Sequence, residues 1–209
     1  RYRISSIEPN LLTDEIIVFC AASPKFQHHF HIPLQSGSDK ILGLMRRRYT
    51  TARFADRIAA VRALMPDAFI GIDVIVGFPG ETEADFDELM HFMAEHPFDR
   101  VGAFTYSAED GTPAASMPNA VDAETAEQRL DRLMRQQMKI SLELNRARIG
   151  TVVEALVDYA EAADVDGIIK VPHCGNPVPA GSYVSIKITG ADYYDLCGEL
   201  VPPLKAAAR

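Results

Sequence analysis

The feature that most constrains this chain is an alternation that stops abruptly. Over residues 1–107, short β-rich runs alternate with amphipathic helical patterns, and beyond Gly150 no helical pattern returns. Strand–helix units in series predict a parallel sheet joined by right-handed crossovers, because each helix must bury its apolar stripe on a sheet face. The four strands read as "RYRISSIEP", "FHIPLQS", "AFIGIDVIVGF" and "DRVGAFTYS". Between them the spacing predicts a helix from Thr13 to Ala22 with Ile16, Ile17 and Phe19 inward, and a short one from Ser38 to Met45. A third begins near Thr50, with Phe54, Ile58, Val61, Leu64 and Met65 at helical spacing. A fourth opens on the capping-box pattern Thr82-x-x-Asp85 and buries Phe86, Leu89, Phe92 and Met93. Pro33 suits a barrel or edge strand, since it has no N–H for a ladder. The third strand is almost continuously apolar, which predicts burial on both faces.

After Ser107 comes a turn-rich loop, "AEDGTPAASMPNAVDA", on the carboxyl side of the fourth strand. A long helix from Glu124 to Arg148 follows, with Leu130, Leu133, Met134, Ile140 and Leu144 on one face, and Gly150 stops it. The runs "TVVEALVDY", "VDGIIKVP", "SYVSIKIT" and "YYDLCGELV" then predict a small antiparallel barrel, and "PPLKAAAR" a disordered tail. The expected domains are residues 1–150 and 151–201, with a tail over 202–209. Because Arg1-Tyr2-Arg3-Ile4 already reads as strand, the expectation is a fragment with sequence upstream.

The composition, 47% hydrophobic and 24% charged over 209 residues, is that of a soluble globular protein. No apolar run approaches the ~20 residues of a membrane span, so no membrane partner is expected. The net charge is −8. Residues 151–209 hold four Lys/Arg against eight Asp/Glu, a net −4, which leaves −4 for the first 150. Neither part is a basic nucleic-acid module. Cys20, Cys174 and Cys197 are far apart and odd in number, which suits a reducing cytoplasm and forms no metal spacing.

Strand alternation puts Asp73, Ile75 and Gly77 on one face of the third strand, and Val74 and Val76 on the other. A carboxylate on an inner face needs a partner. Asp73 has two readings: a hydrogen bond to a ligand hydroxyl or ammonium, or an ion pair with a neighbouring strand, such as with Arg3. Glu8 ends the first strand and Gln35 and Ser36 the second, so polar side chains gather where a parallel sheet binds small molecules. Singly, each also reads as a cap or turn residue. In the turn Gly77-Phe78-Pro79-Gly80-Glu81 two glycines let bare backbone approach a ligand closely. His28 and His29 sit in a loop before the second strand, and with His31 they read as solvated or structural histidines rather than metal ligands. Arg46-Arg47-Arg48 reads either as a phosphate or RNA contact or as a cationic helix end.

The segments "HIPLQSGSDKILGLMRRRYT", "DVIVGFPGET" and "FTYSAEDGTPAA", in this order ahead of a small β-barrel, resemble the radical SAM methylthiotransferases. That resemblance covers nearly the whole chain. It implies an α/β fold: a partial (βα)6 radical SAM barrel of four parallel βα units, followed by a small all-β TRAM-like barrel. It implies S-adenosyl-L-methionine across the barrel mouth, [4Fe–4S] clusters in the parent protein, an electron donor, and methylthio insertion at an unactivated C–H bond. By resemblance the Ile75-x-Gly77 stretch and the turn after it lie near the adenosine, and Phe104-Thr105-Tyr106 closes the same side. With Glu8, Gln35, Ser36 and Asp73 these form the expected cofactor-binding set; no catalytic residue or metal ligand is assigned. The family's Cys-x3-Cys-x2-Cys motif and its second cluster domain are not in this sequence, so the chain alone is expected to be inactive.

Two branches are in view. Residues 1–90, with "RISSIEPN" and "HIPLQSGSD", resemble the branch acting on threonylcarbamoyladenosine beside the tRNA anticodon. Residues 98–150 and "ITGADYYDLCGE" resemble the branch acting on an aspartate of a small-subunit ribosomal protein. The acidic last 59 residues favour docking on a basic ribosomal protein or the small ribosomal subunit. A tRNA substrate is the alternative, and a binding-only fragment a third reading.

Overall fold

In the computed structural model, which describes residues 1–157, 168–171 and 178–202, the chain divides into two compact units, Arg1–Gln137 and Met138–Arg209.

The first unit holds β1 (Tyr2–Ile4), α1 (Asp14–Ala22), β2 (Phe26–His31), α2 (Asp39–Leu44), α3 (Thr51–Leu64), β3 (Phe69–Val76), α4 (Glu83–Glu95) and β4 (Arg100–Thr105). The strands are hydrogen-bonded in the order β1-β2-β3-β4, all parallel, as the alternation requires. Thr13, Thr50 and Thr82 cap α1, α3 and α4 with their hydroxyls, and Thr82 with Asp85 closes a full capping box. Phe30, Ile70, Ile72, Val74 and Val76 point to one side of the sheet, where Phe54, Ile58, Phe86, Leu89 and Met93 cover them.

The other face differs from expectation. Phe69, Asp73 and Ile75 are only half-buried, so β3 is buried on one side and open on the other. Glycine opens that face further. Gly71 pairs with Arg100 and Asp73 with Gly102 across β3 and β4, so each row sets one glycine beside one large group. A Cβ on Gly102 would lie 2.5 Å from Asp73 Oδ1.

Further differences concern single positions. Along α1 the buried positions are Ile17 and Cys20, while Phe19 is 60% exposed and meets Phe26 edge-on. Three- and four-residue helical spacing runs from Ile17 to Cys20 and leaves Phe19 off the stripe. Leu64 is exposed on α3, whereas Arg57 is buried there because Asp14 and Asp56 hold its guanidinium. His28 and His29 lie in β2 rather than in a loop, and His29 stacks on Phe69. Pro33 interrupts the ladder as expected: Ile32, Leu34 and Gln35 donate to β3 on either side of it, and Gln35 forms an isolated bridge with Val74.

α5 (Ala123–Ala147) crosses the boundary between the units. In the first unit Leu133 joins the core and Leu130 and Met134 pack against it. In the second unit β5 (Val152–Leu156), β6 (Ile169–Lys170), β7 (Tyr183–Ala191) and β8 (Leu196–Val201) form one sheet in the order β5-β7-β8-β6. β5/β7 and β7/β8 are antiparallel, but the two-residue β6 runs parallel to β8, so the sheet is not wholly antiparallel. Asp158, Glu161, Asp164, Asp166, Cys174 and residues 203–209 lie outside the described residues. No helix among the described residues is long and apolar enough to cross a membrane.

Two contacts tie the loops at the carboxyl ends of the strands. Gly37 lies against α4 so closely that a Cβ would stand 2.4 Å from Leu89 Cα. Asp85 accepts from Ser38 Oγ, Lys40 Nζ and both the amide and hydroxyl of Thr82. Burial raises the pKa of this carboxyl, but Lys40, Thr82 and Ser38 override it and bring it to about 2 from an ordinary 3.8.

Gly37→Ala should therefore lower stability by about 2 kcal/mol or more, since backbone must move. Gly43→Ala, in helix α2 with nothing near its Cβ, should raise stability by about 0.5–1 kcal/mol. Urea midpoints check both; equal effects would refute the close-approach argument. Because the folded pKa of Asp85 is depressed, its contribution is present above pH 3.8 and lost as pH falls towards about 2. Asp85→Asn should remove about 2 kcal/mol at neutral pH and flatten the acid limb of stability against pH.

Candidate functional site

β3 and β4 end side by side, with Ile75 opposite Phe104 and Val76 opposite Thr105. The Tyr106 amide donates to the Val76 carbonyl and prolongs the pairing by one step. Past these ends lies a cleft of about 660 Å³. Ile75, Phe104 and Tyr106 line one wall, with Phe78 set edge-on to Tyr106 at 5.1 Å. Met45, Arg46 and Arg47 from the end of α2, and Pro113 and Met117 from the turn-rich loop, close the rest. The walls are mostly apolar and ring-bearing, as a flat heterocycle requires. The Tyr106 hydroxyl is buried and has no hydrogen-bond partner among the described residues. A buried orphan hydroxyl is costly unless a ligand atom meets it.

The expected residues distribute unevenly around this cleft. Ile75, Phe104 and Tyr106 line it. Glu8 reaches it through Arg47, whose Nη1 donates to Glu8 Oε1 at 3.1 Å. Gln35 sits at φ +67, its amide donating to the Asp73 carbonyl and its own carbonyl accepting from Ile75. Ser36 is buried and its hydroxyl accepts from the Ser38 amide, so it shapes the loop before α2. Asp73 shares the face of Ile75, and its partner is His31, with Nε2 3.2 Å from Oδ2. The other ring nitrogen of His31 meets the Ser5 carbonyl at 2.9 Å. The neighbouring-strand group beside the Asp73 carboxylate is thus a histidine of β2.

Gly77 is packed against α5. At φ +76 its missing Cβ faces Ala126 of α5, where a methyl would come within 2.7 Å. Its amide donates to Glu81 Oε1 at 2.9 Å. Glu81 is itself buried and pairs with the buried Arg129 at 2.8 Å. Burial raises the pKa of the Glu81 carboxyl, against the pull of the Gly77 amide and Arg129. The second glycine is also tied within the unit: the Gly80 amide donates to the Asn119 carbonyl, and a Cβ there would stand 3.2 Å from Leu44 Cδ1. No sequence signal marked Glu81 or Arg129, which lie 48 residues apart.

Arg46 has φ +56 and ends α2, a place where glycine is favoured. A left-handed non-glycine residue costs about 1–2 kcal/mol. Among the described residues no three His, Cys, Asp or Glu side chains gather as a metal set.

Comparison with known proteins agrees with this geometry. A sequence profile described as the Radical SAM superfamily matches residues 2–93. Ribosomal protein uS12 methylthiotransferase RimO of Clostridioides difficile (strain 630) is 38% identical over 211 residues, covering 95% of this chain and 47% of its own length. The protein of the same name from Pelotomaculum thermopropionicum is 41% identical, covering 92% of this chain and 46% of its own length. A tRNA-2-methylthio-N(6)-dimethylallyladenosine synthase from Saccharopolyspora erythraea is 44% identical, over 77% of this chain and 33% of its own length. The chain spans less than half the length of these curated relatives. Among solved structures, coproporphyrinogen III oxidase (HemN) from Escherichia coli, a radical SAM enzyme, superposes with a TM-score of 0.56 at 16% identity, over 65% of this chain and 31% of that one. That likeness concerns the fold: parallel strands with helices on one face. Over the length it shares with these relatives, the chain belongs to the radical SAM methylthiotransferase family.

Proposed function

We propose that this chain carries the S-adenosyl-L-methionine-facing segment of a methylthiotransferase whose target is an aspartate of a small-subunit ribosomal protein. The observation that carries the reading is coverage: the two ribosomal-protein relatives match 95% and 92% of the chain, against 77% for the tRNA relative. The tRNA reading keeps the support of that relative's 44% identity. On this reading residues 1–150 are the radical SAM part and 151–201 a TRAM-like barrel. The enzyme works in the cytoplasm with an electron donor.

Members of this family use S-adenosyl-L-methionine and iron–sulfur clusters. The cleft fits the first: apolar walls from Ile75, Phe78 and Phe104 would hold the adenine, and the partnerless Tyr106 hydroxyl beside them would offer a hydrogen bond. The chemistry that S-adenosyl-L-methionine supplies in this family is activation of an unreactive C–H bond. This chain's residues bind and orient the nucleoside and keep water from the apolar wall. The thiols do not fit a cluster. Cys20 is buried on α1, Cys197 is exposed on β8 in the other unit, and neither has a neighbouring thiol in sequence. The chain alone is inactive on this reading.

Of the acidic residues in 151–209, Asp195 is already neutralised by Lys170 at 2.7 Å. Asp192 and Glu199 are exposed, so they are described charges able to attract a basic protein.

Three outcomes test the proposal. An enzyme in which this chain replaces the matched segment of the Clostridioides difficile relative should add methylthio to an aspartate of the small ribosomal subunit, read by mass spectrometry. Mass gain on a tRNA adenosine alone would transfer the reading to the tRNA branch. Asp192→Lys with Glu199→Lys should weaken binding to the isolated ribosomal protein, more at low salt than at high, and leave tRNA binding unreduced. The chain by itself, treated anaerobically with iron and sulfide, should develop no stoichiometric cluster absorbance; a full cluster would defeat the thiol argument.

A further inference from the structure

Arg46 combines three properties that its neighbours lack. Its backbone is left-handed where glycine would relax it. Its side chain is exposed at the cleft, and among the described residues no ion pair or hydrogen bond engages it. It shares the cleft lining with one other charged side chain, Arg47, which is committed to Glu8, and no carboxylate contributes to that lining. A cation after the end of α2 suits the helix C-terminus, but a left-handed backbone is not needed for that, and the exposed guanidinium beside an apolar cleft is free to pair with an anion. We infer that Arg46 is the specificity-determining residue that reads the carboxylate of the target side chain.

The inference rests on the proposed aspartate substrate and deepens it. A planar guanidinium offers two parallel N–H donors to a carboxylate, which fixes both distance and orientation. Fixing the carboxylate fixes the adjacent carbon, whose C–H bond is the one to be addressed. The apolar wall next to Arg46 strengthens the pair by excluding water. An asparagine in the same place loses the charge and one of the two acceptors. A neutral base at this point would leave the guanidinium unanswered.

The test uses the full chain, isotope-labelled, with the amides of Met45, Arg46 and Arg47 followed by NMR. The probes are a short blocked peptide with one central aspartate, its asparagine counterpart, a single-stranded RNA oligonucleotide and S-adenosyl-L-homocysteine. The aspartate peptide should shift these amides and the asparagine peptide should not. Arg46→Gly should bind the aspartate peptide about tenfold more weakly and yet be more stable than wild type, because the backbone strain is relieved. Arg46→Lys should fall between, and Arg53→Ala, whose partner Asp56 lies on α3, should change nothing. Equal shifts from both peptides, or unchanged affinity in Arg46→Gly, would overturn the inference. So would loss of S-adenosyl-L-homocysteine affinity in Arg46→Gly, which would assign the guanidinium to the cofactor's own carboxylate. A stronger response to RNA than to the aspartate peptide overturns it in favour of a phosphate contact. If the chimaeric enzyme modifies tRNA while the aspartate preference at Arg46 persists, it is the substrate reading that has failed.

Discussion

The buried carboxylate of Glu81 is the point on which the mouth of the first unit depends. It accepts from the Gly77 amide and from Arg129 at once, so it fastens the turn after β3 to α5. Such a pair contributes little net stability against a well-packed apolar alternative, because taking both charges out of water offsets their attraction. Breaking it is another matter: one partner left alone in the interior costs about 3–5 kcal/mol. The arrangement therefore acts through geometry. Gly77 has no Cβ because Ala126 occupies that space, and its amide is directed because Glu81 is held. Ile75 and Phe78, on either side, take their places in the cleft wall as a result. Arg129 also lies over the Phe86 ring, which joins the polar tie to the apolar core.

Strain and its support are divided along the same lines. Gln35 and Arg46 are left-handed without being glycine, and both stand at the carboxyl side of the sheet. The structure over-determines each of them. Gln35 is held by hydrogen bonds to Asp73 and from Ile75, and Tyr49 donates to the Pro33 and Leu34 carbonyls just before it. Arg46 follows a helix whose N-terminal end is tied by Lys40 and Ser38 to Asp85. Local cost at a site persists only where surroundings enforce it.

Much of this was legible in the sequence, and the boundary of legibility has a physical cause. The four parallel strands and four helices followed from periodicity, and the capping box at Thr82 from two residues three apart. Such signals are local. Ile75, Phe104 and Tyr106, which resemblance singled out, line the cleft. The His31–Asp73 pair, the Glu81–Arg129 pair and the packing of Gly37 on Leu89 depend on which elements meet, which no window of sequence contains. Phe19 misled because an aromatic residue next to the inward stripe resembles one within it. In the turn after β3, the space beside Gly77 that bare backbone leaves is taken by Ala126 of α5, a neighbour that no local window of sequence contains.

Glycine makes the open face of this sheet by the same means. Gly71 lies between His31 and Arg100, and Gly102 beside Asp73, so each glycine leaves room for the polar groups next to it. The next row, Ile75 with Phe104, has no glycine, and there the face becomes an apolar wall. Polarity therefore changes along the strands, from Arg100 and His31 through Asp73 to the ring of Phe104. A ligand at the mouth meets apolar surface first, with charge available only from the rim at Arg46 and Arg47. A neutral heterocycle and an anionic group would thus be sorted to different places in one cleft, the first by desolvation and the second by Coulombic attraction. That separation follows from where side chains are missing as much as from where they are present.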